Sequence, residues 1–236
     1  MKKLFDVSGK VALVTGGSRG IGAMIAEGFV KNGVKTYISS RKVKQCDETA
    51  KKLSHFGNCI SIPADLNNFE DLQKIKKIIE NDGNVLNILV NNAGAVWGSS
   101  FDSFPENGWD KVMDTNVKGV FFLTQKLLPL LRSGAKKEPS RVVNIGSIDG
   151  LSAGAFENYA YGPSKAALHH LTRILAANLI KEKIIVNAIA PGPFPTWMLS
   201  TGVGFGGETD VDWTAVGEGN PSGRVGDMKD IAGLAI

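Results

Sequence analysis

The sequence predicts an α/β fold in which helices cover both faces of a doubly wound, mostly parallel sheet. Three observations predict this fold. Short runs rich in β-branched and apolar residues alternate with longer segments whose apolar residues recur every three or four positions. The run Val-Ala-Leu-Val at 11–14 is apolar throughout, as is typical of a strand buried on both faces. A chain of 236 residues, of which 43% are hydrophobic, can also bury the core of one large domain.

Six runs are predicted to form strands, and the five segments between them that have helical periodicity are predicted to form helices. The strands cover residues 11–15, 34–40, 59–62, 86–91, 141–147 and 184–190. The helices lie near residues 21–31, 42–56, 68–81, 106–132 and 159–181. This regular alternation implies a parallel sheet whose neighbouring strands are joined by helical crossovers.

Composition and charge exclude several classes of protein. The chain has 27 Lys+Arg and 23 Asp+Glu, and its lysines form scattered pairs rather than a dense basic stripe, so no nucleic-acid partner is predicted. Cys46 and Cys59 are too few for a disulfide framework, and neither they nor the three histidines show metal-site spacing. The amino terminus lacks a signal peptide, and no apolar stretch is long enough for a membrane helix. We predict a cytoplasmic protein without a metal or membrane partner.

A glycine-rich turn, Thr-Gly-Gly-Ser-Arg-Gly-Ile-Gly at 15–22, follows the first strand. Glycines allow positive φ, and their missing Cβ lets a diphosphate approach backbone N–H groups at the positive end of a helix. The spacing Gly-x3-Gly-x-Gly differs from the commoner dinucleotide fingerprint, and glycine also serves packing alone in tight turns. The candidate cofactor-binding residues of this turn are Gly16, Gly17, Ser18, Arg19, Gly20, Ile21 and Gly22.

The end of the second strand predicts which cofactor is bound. A carboxylate at this place in a dinucleotide-binding unit holds the ribose hydroxyls, whereas a cation accommodates a 2′-phosphate. The sequence here is Ser39-Ser40-Arg41-Lys42, which supplies hydroxyls and positive charge, and Arg19 could converge on the same group. NADP(H) is therefore favoured over NAD(H), with Ser40 and Arg41 as ligands. The alternative is that the cations merely begin the next helix in solvent.

Two further strand ends provide candidate cofactor residues. Asn92, Ala93 and Gly94 follow the fourth strand, where small residues would let the backbone approach a nucleoside, although a plain turn has the same composition. Asp65 and Leu66 follow the third strand and could lie beside an adenine ring. Asp65 could equally cap the next helix, and the sequence leaves both interpretations open.

The candidate catalytic residues come later in the chain. Ser147 ends the fifth strand, and Tyr161 and Lys165 lie four residues apart, on one face of the next helix. Acid–base work by tyrosine near neutral pH requires its pKa of about 10 to fall by about three units, and a nearby ammonium favours that change. Ser147 could donate a hydrogen bond to a substrate carbonyl oxygen. The trio therefore predicts a site for carbonyl reduction.

Together these motifs resemble the short-chain dehydrogenase/reductase family over essentially the whole chain. The match comprises the glycine-rich turn, Asn91-Asn92-Ala93-Gly94, Asn116 in Asn-Val-Lys-Gly, Ser147, Tyr161-x3-Lys165 and Pro191-Gly192, in the family's order and spacing. Stretches such as Ala-Tyr-Gly-Pro-Ser-Lys-Ala-Ala-Leu-His look like NADPH-dependent 3-oxoacyl reductases of the rhamnolipid type. The resemblance implies a single Rossmann domain over 1–236 and an oxidoreductase that transfers hydride between NADP(H) and a carbonyl.

The resemblance also implies individual roles. Tyr161 would protonate the carbonyl oxygen, Lys165 would lower the pKa of Tyr161 and bind the nicotinamide ribose, and Ser147 would hold the substrate oxygen. Asn116 would anchor a water in a proton relay behind Lys165; otherwise it marks a kink or polar patch in a long helix. Three more residues are expected beside the nicotinamide, namely Pro191, Gly192 and Thr196.

Residues 194–223 are expected to form a substrate lid with little regular structure. Its aromatic and apolar residues, including Trp197, Met198, Leu199, Phe205 and Trp213, suit an acyl chain or a hydrophobic ketone, and packing in a subunit interface is the alternative. A 3-oxoacyl thioester is the first substrate expected; a sugar acid, a steroid, a xenobiotic ketone or a nonenzymatic NADP-binding function are alternatives.

The printed sequence ends before the seventh strand that the family usually has. Because that strand commonly contributes to the family's tetramer, the expected homo-oligomer, a dimer or tetramer, depends on whether the carboxyl terminus is complete.

Overall fold

A computed structural model describes residues 5–153, 157–202 and 211–236. Within these ranges six strands form one parallel sheet in the order β3-β2-β1-β4-β5-β6. The strands are β1 (Val11–Thr15), β2 (Lys35–Ser39), β3 (Cys59–Ser61), β4 (Ile88–Asn91), β5 (Ser140–Ile145) and β6 (Ile184–Ile189). The predicted six-stranded, doubly wound α/β fold is confirmed. Its strand order reverses between β1 and β4, where a crevice opens at the carboxyl ends of the strands.

The helices of the described residues cover both faces of this sheet. They are α1 (Gly20–Lys31), α2 (Val43–Leu53), α3 (Phe69–Asn81), α4 (Glu106–Met113), α5 (Gly119–Gly134), α6 (Tyr161–Leu179), α7 (Trp197–Gly202), α8 (Trp213–Glu218) and α9 (Met228–Ala235). Short 3₁₀ turns occur at Phe101–Ser103, Ile148–Gly150 and Ile180–Glu182.

Two hydrophobic cores lie on opposite faces of the sheet, as period-two alternation along β1 requires. Ala12 and Val14 point into a core shared with α1, α2 and α9, whereas Leu13 points into a core shared with α3, α5 and α6. Each of these three strand residues is fully buried. The two packed layers fix the carboxyl ends of the strands, from which the site is built.

The segment 106–132, predicted as one helix, is interrupted by a single π turn at Asp114–Lys118 between α4 and α5. The prediction of an uninterrupted helix is therefore wrong in its middle. Such turns insert one extra residue into the helical ladder and occur often at functional sites. This π turn contains Asn116, whose side chain is fully buried and bonded to a neighbouring loop.

The expected lid contains more regular structure than its composition indicates. Helices α7 and α8 lie within it, and Asp212 caps α8 by accepting hydrogen bonds from the Thr214 and Ala215 N–H groups. Local capping by an aspartate explains how a glycine-rich stretch forms a helical turn. Residues 203–210, which include Phe205, lie outside the described residues.

No helix among the described residues is long and apolar enough to cross a membrane. Over the same ranges, there is no group of three or more His, Cys, Asp or Glu side chains that could hold a metal ion.

Candidate active site

The carboxyl ends of the strands surround one cavity of about 350 Å³. Its lining comes from the glycine-rich turn, the ends of β2 to β5, the start of α6 and residues 191–199. The sequence-predicted residues that line it are Gly16, Ser18, Arg19, Gly20, Ile21, Ser40, Arg41, Asp65, Leu66, Asn92, Ala93, Gly94, Ser147, Tyr161, Lys165, Pro191, Gly192 and Thr196. The fold therefore brings most of the candidate site together.

Hydrogen bonds between the ends of β1 and β4 hold the glycine-rich turn in place. The Thr15 hydroxyl accepts from the Asn92 and Ala93 N–H groups, each at 3.0 Å, and donates to the Val90 carbonyl at 3.2 Å. The Asn92 amide donates to the Thr15 carbonyl at 2.9 Å. Gly16 has a φ of +64°, and a Cβ there would lie 2.8 Å from the Asn92 amide nitrogen. Only glycine fits this position, because both its backbone conformation and its surroundings exclude a side chain.

Three predicted site residues lie outside the cavity lining. A Cβ on Gly17 would lie 2.8 Å from the Ile38 side chain, and one on Gly22 would lie 2.4 Å from both the Gly16 carbonyl oxygen and the Asn92 amide nitrogen. Both glycines therefore allow close packing behind the turn, which is the packing role that glycine clusters also serve. Asn116 is the third, and its side-chain oxygen would lie 3.4 Å from a Cβ on Gly94.

The side chains of Arg19 and Arg41 line the part of the cavity where the 2′-phosphate is expected. Burial lowers the pKa of the Arg19 guanidinium, and the charge of Arg41 lowers it further, so the two cations lie close together. No ion pair among the described residues involves either guanidinium. Ser40 and Lys42 line the same part of the cavity. Two cations that line one cavity without a carboxylate partner are arranged to receive an anion.

The structure shows that Asp65 does not cap α3. Asn68 is the capping residue, and its side chain accepts hydrogen bonds from the Glu70 and Asp71 N–H groups. The Asp65 carboxylate accepts from the Asn67 N–H at 3.0 Å and lines the cavity. Asp65 is thus available on the side of the cavity expected to hold the adenine.

Tyr161 and Lys165 project from the first turns of α6 beside Ser147. The Lys165 ammonium nitrogen lies 5.6 Å from the centroid of the Tyr161 ring and donates to the Ile145 carbonyl oxygen at 2.8 Å. The Ser147 hydroxyl accepts from the Asp149 N–H at 3.2 Å. Ser147 and Lys165 are both buried, whereas Tyr161 is half-buried and faces the cavity.

The pKa values of these groups are set mainly by burial. Burial raises the pKa of Tyr161, hydrogen bonding to Ser147 lowers it, and the charge of Asp149 raises it. Burial lowers the pKa of Lys165 to about 8. The predicted lowering of the Tyr161 pKa is therefore wrong for the protein's own groups, because desolvation of the phenol outweighs the favourable contribution of Ser147.

Asn116 ties the π turn to the catalytic helix. Its side-chain oxygen accepts from the Ala95 N–H at 2.8 Å, and its amide donates to the Ala95 carbonyl and to the Ser164 hydroxyl, each at 2.9 Å. Ser164 in turn donates to the Tyr161 carbonyl at 2.7 Å. This chain of bonds explains the polar residue inside a helix, since it fixes the backbone from which Tyr161 projects. The proton-relay role of Asn116 stays a prediction.

Residues of the expected lid line an apolar wall of the cavity, namely Phe194, Trp197, Met198 and Leu199. The Arg19 guanidinium lies 4.1 Å from the centroid of the Trp197 ring, and a Cβ on Gly20 would lie 3.3 Å from Thr196. The start of the segment expected to form the lid therefore lies against the glycine-rich turn.

Sequence reasoning missed several residues that line the cavity. Among them are Asp149 and Asn158, and also Gln45, Ala64, Val96, Thr115 and Ile148. Asp149 is two residues beyond Ser147, and Asn158 is three residues before Tyr161. Their closeness in sequence to Ser147 and Tyr161 was the only signal that could have pointed to Asp149 and Asn158, because neither belongs to a known motif.

The family model for the short chain dehydrogenase matches residues 10–202. The chain belongs to the short-chain dehydrogenase family. This confirms the family and the oxidoreductase class expected from the sequence motifs.

Individual members of the short-chain dehydrogenase family are similar over the full chain. The rhamnolipids biosynthesis 3-oxoacyl-[acyl-carrier-protein] reductase of Pseudomonas aeruginosa is 46% identical, over all of this chain and 91% of the relative. The 5-keto-D-gluconate 5-reductase of Escherichia coli K12 is 31% identical, over all of this chain and 90% of the relative. The solved Pseudomonas aeruginosa RhlG/NADP active-site complex has a TM-score of 0.91 and 44% identity, covering 100% of this chain and 91% of that chain. The predicted resemblance to rhamnolipid-type reductases is confirmed.

Proposed function

We propose that this protein is an NADPH-dependent reductase of carbonyl compounds and that its substrate is a 3-oxoacyl thioester. The observation that carries the proposal is the convergence of Ser147, Tyr161 and Lys165 on the same cavity as the Arg19–Arg41 pair. One end of the cavity thus provides groups for a carbonyl oxygen, and the other provides cations for a phosphate. A nonenzymatic NADP-binding function would not require the first set of groups.

The residues present fit a dinucleotide phosphate. Gly16 and Gly20 have φ values of +64° and +55°, and the cavity they line leads from Arg41 to Lys165. Arg19, Ser40 and Arg41 would hold the 2′-phosphate, Asp65 would lie beside the adenine, and Lys165 would hold the nicotinamide ribose. When bound, NADPH supplies the hydride. Relatives support this choice, since the solved RhlG complex contains NADP.

The chain's own groups would position and protonate the substrate. The Ser147 hydroxyl would donate to the carbonyl oxygen, and Tyr161 would give that oxygen a proton as it gains negative charge. Burial favours the protonated phenol, which is the form that reduction requires. The buried ammonium of Lys165 would then stabilise the phenolate left behind.

The apolar wall of the lid supports an acyl substrate. Phe194, Trp197, Met198 and Leu199 face the cavity and would remove an alkyl chain from water. The 46% identical relative is a 3-oxoacyl-[acyl-carrier-protein] reductase, which supports the same substrate class. Among the alternatives, a sugar acid would gain little from this wall.

The test is the rate of NADPH oxidation by wild-type protein and by the Tyr161→Phe variant with a medium-chain 3-oxoacyl thioester. Tyr159→Phe is the matched control, because Tyr159 contacts Phe101 and Phe104 edge to face and does not line the cavity. We expect turnover in the wild type and the control, and a loss of about 100-fold or more in Tyr161→Phe. Unchanged turnover in Tyr161→Phe would refute the proposed mechanism.

The proposed setting is the cytoplasm, and the proposed assembly is a homo-oligomer. Cys46 and Cys59 are buried free thiols, which supports a reducing compartment. Phe121 and Phe122 on α5 and Ile174 on α6 are exposed apolar side chains, which supports an interface between copies of the chain. Light scattering after gel filtration measures the assembly.

A further inference from the structure

The two cations expected to bind the 2′-phosphate come from separate segments of the chain. Arg19 belongs to the glycine-rich turn, whereas Arg41 lies between β2 and α2. Both line the same cavity. One phosphate can accept from both guanidiniums only if the two segments keep a fixed separation, since such bonds are short, about 2.7–2.9 Å. The contact that fixes this separation lies outside the cavity.

A side-chain hydrogen bond joins α2 to the glycine-rich turn. The Thr49 hydroxyl, on α2, donates to the Ser18 carbonyl oxygen at 2.9 Å. Thr49 is half-buried and does not line the cavity, whereas Ser18 is buried and does. A threonine within a helix commonly donates to the carbonyl four residues back in its own helix. Thr124 and Thr172 do so, each at 2.8 Å, but Thr49 bonds to a different segment.

The Ser18 carbonyl belongs to the peptide group that leads into Arg19. A peptide group is planar and trans, so its C=O and N–H point in opposite directions. Holding this carbonyl toward α2 therefore also fixes the direction of the Arg19 N–H. Arg19 is the N-cap residue of α1, and its side chain makes no capping hydrogen bond. The bond from Thr49 thus orients the backbone from which the Arg19 side chain projects.

Helix α2 connects this bond to Arg41. Lys42 is the N-cap residue of α2, so Arg41 directly precedes the helix. Gln45 lies one turn before Thr49, on the same helix face, and lines the cavity. Three residues anchor α2 in the core that it shares with α1, namely Cys46, Ala50 and Leu53. One anchored helix therefore follows Arg41 directly and also holds the peptide group before Arg19.

We propose that Thr49 is a positioning residue for cofactor choice. Its hydroxyl would hold the Ser18–Arg19 peptide group at a fixed place relative to Arg41, so that both guanidiniums bind the 2′-phosphate of NADPH. NADH lacks this phosphate and would gain little from the alignment. The inference rests on the proposed function and extends its cofactor site to a residue outside the cavity.

The test measures the dissociation constants of adenosine 2′,5′-bisphosphate and adenosine 5′-phosphate by isothermal titration calorimetry. The two probes differ only in the 2′-phosphate, and neither requires turnover. Wild-type protein should bind the bisphosphate about tenfold or more tightly than the monophosphate, because charge-assisted hydrogen bonds hold the extra phosphate. In Thr49→Val, which has nearly the same shape without the hydroxyl, this preference should fall to about threefold or less.

Further variants test the hydroxyl itself. Thr49→Ser keeps the hydroxyl and should retain most of the wild-type preference. Thr214→Val makes the same change at an exposed threonine outside the cavity, and should leave the preference unchanged. Should Thr49→Val fold poorly, Thr49→Ala removes the hydroxyl and introduces a residue that favours helices, so the same fall in preference is expected.

A double-mutant cycle separates the positioning of Arg19 from a general loosening of the fold. If Thr49 acts through Arg19, then Thr49→Val should change the bisphosphate preference by less than about twofold in the Arg19→Leu background, because the effects of coupled residues are not additive. A general loosening would lower the preference in both backgrounds.

The outcomes distinguish this inference from the proposed function. If wild-type protein bound the bisphosphate no better than the monophosphate, the proposed NADPH site would fail, and this inference with it. A wild-type preference that persists in folded Thr49→Val would overturn the inference alone. An equal effect of Thr49→Val in the wild-type and Arg19→Leu backgrounds would overturn it as well.

Discussion

Arg19 and Trp197 are in contact, with the guanidinium carbon 4.1 Å from the centroid of the indole ring. Arg19 belongs to the glycine-rich turn, and Trp197 is the first residue of α7. One cation therefore lies between the expected phosphate of the cofactor and the apolar wall of the substrate cavity. We expect cofactor and substrate binding to be coupled through this side chain.

Replacing Arg19 tests its role toward the phosphate. In Arg19→Leu, the dissociation constant of NADPH should rise about tenfold or more, because a charge-assisted hydrogen bond is lost. The constant for NADH should rise about threefold at most. Arg19→Lys keeps the charge and should recover part of the NADPH affinity, which fluorescence titration of each cofactor measures. Equal weakening of both cofactors in Arg19→Leu would contradict the assignment.

Reversing the charge at Arg41 is the sharper test of cofactor choice. Arg41→Asp removes a phosphate partner and adds repulsion, so NADPH binding should weaken far more than NADH binding. The ratio of kcat/KM for the two cofactors should fall by about 100-fold. Lys44→Asp makes the same change of charge on an exposed residue outside the cavity, and should leave the ratio unchanged. If the ratio of kcat/KM for NADPH and NADH were unchanged in Arg41→Asp, Arg41 would not contribute to recognition of the 2′-phosphate.

Truncating Asn116 should destabilise the protein. Asn116→Ala leaves the Ala95 N–H and carbonyl and the Ser164 hydroxyl without their buried partner. The free energy of unfolding should fall by about 2–4 kcal/mol, as expected for buried polar groups left unsatisfied. Chemical denaturation measures this change, and Asn67→Ala, which removes a more exposed amide, is the comparison. A loss of activity with unchanged stability would instead point to a role in proton transfer alone.

Replacing Lys165 should stabilise the fold while abolishing activity. Its pKa is lowered by burial to about 8 in the folded state, against an ordinary value of about 10.4. The unfolded chain binds more protons between these values, so the Lys165 contribution to stability improves as pH rises through this window. Below about pH 8, Lys165→Met should therefore be more stable than wild type by about 1–3 kcal/mol. The difference should shrink toward pH 10.4, and a difference independent of pH would contradict the buried charge.

The sequence predicted those parts of the site that depend on local backbone chemistry. Gly16 has a positive φ and is closely packed, and only glycine fits such a position. A glycine in the sequence at this point therefore predicts the tight turn between the first strand and the first helix. Ser147, Tyr161 and Lys165 occur at strand and helix ends in a recognisable order. The alternation of strand and helix segments along the chain predicted the parallel sheet, and that sheet brings the three residues together. The six predicted strands differ from the observed ones only at their ends.

What the sequence could not predict depends on contacts between distant segments. The π turn contains Asn116, whose side chain bonds to Ala95 and Ser164, and no helical periodicity encodes those partners. The contact of Arg19 with Trp197 likewise joins residues from opposite ends of the chain. The raised pKa of Tyr161 reflects its burial, which exists only in the folded protein.

The central claim is that one cavity joins a site for NADPH to a Ser147–Tyr161–Lys165 site for carbonyl reduction. Its most direct test is the initial rate of cofactor oxidation with a medium-chain 3-oxoacyl thioester, measured in parallel with NADPH and NADH. We expect turnover with a marked preference for NADPH. Cofactor binding without turnover of the thioester, or equal rates with NADH, would contradict the claim.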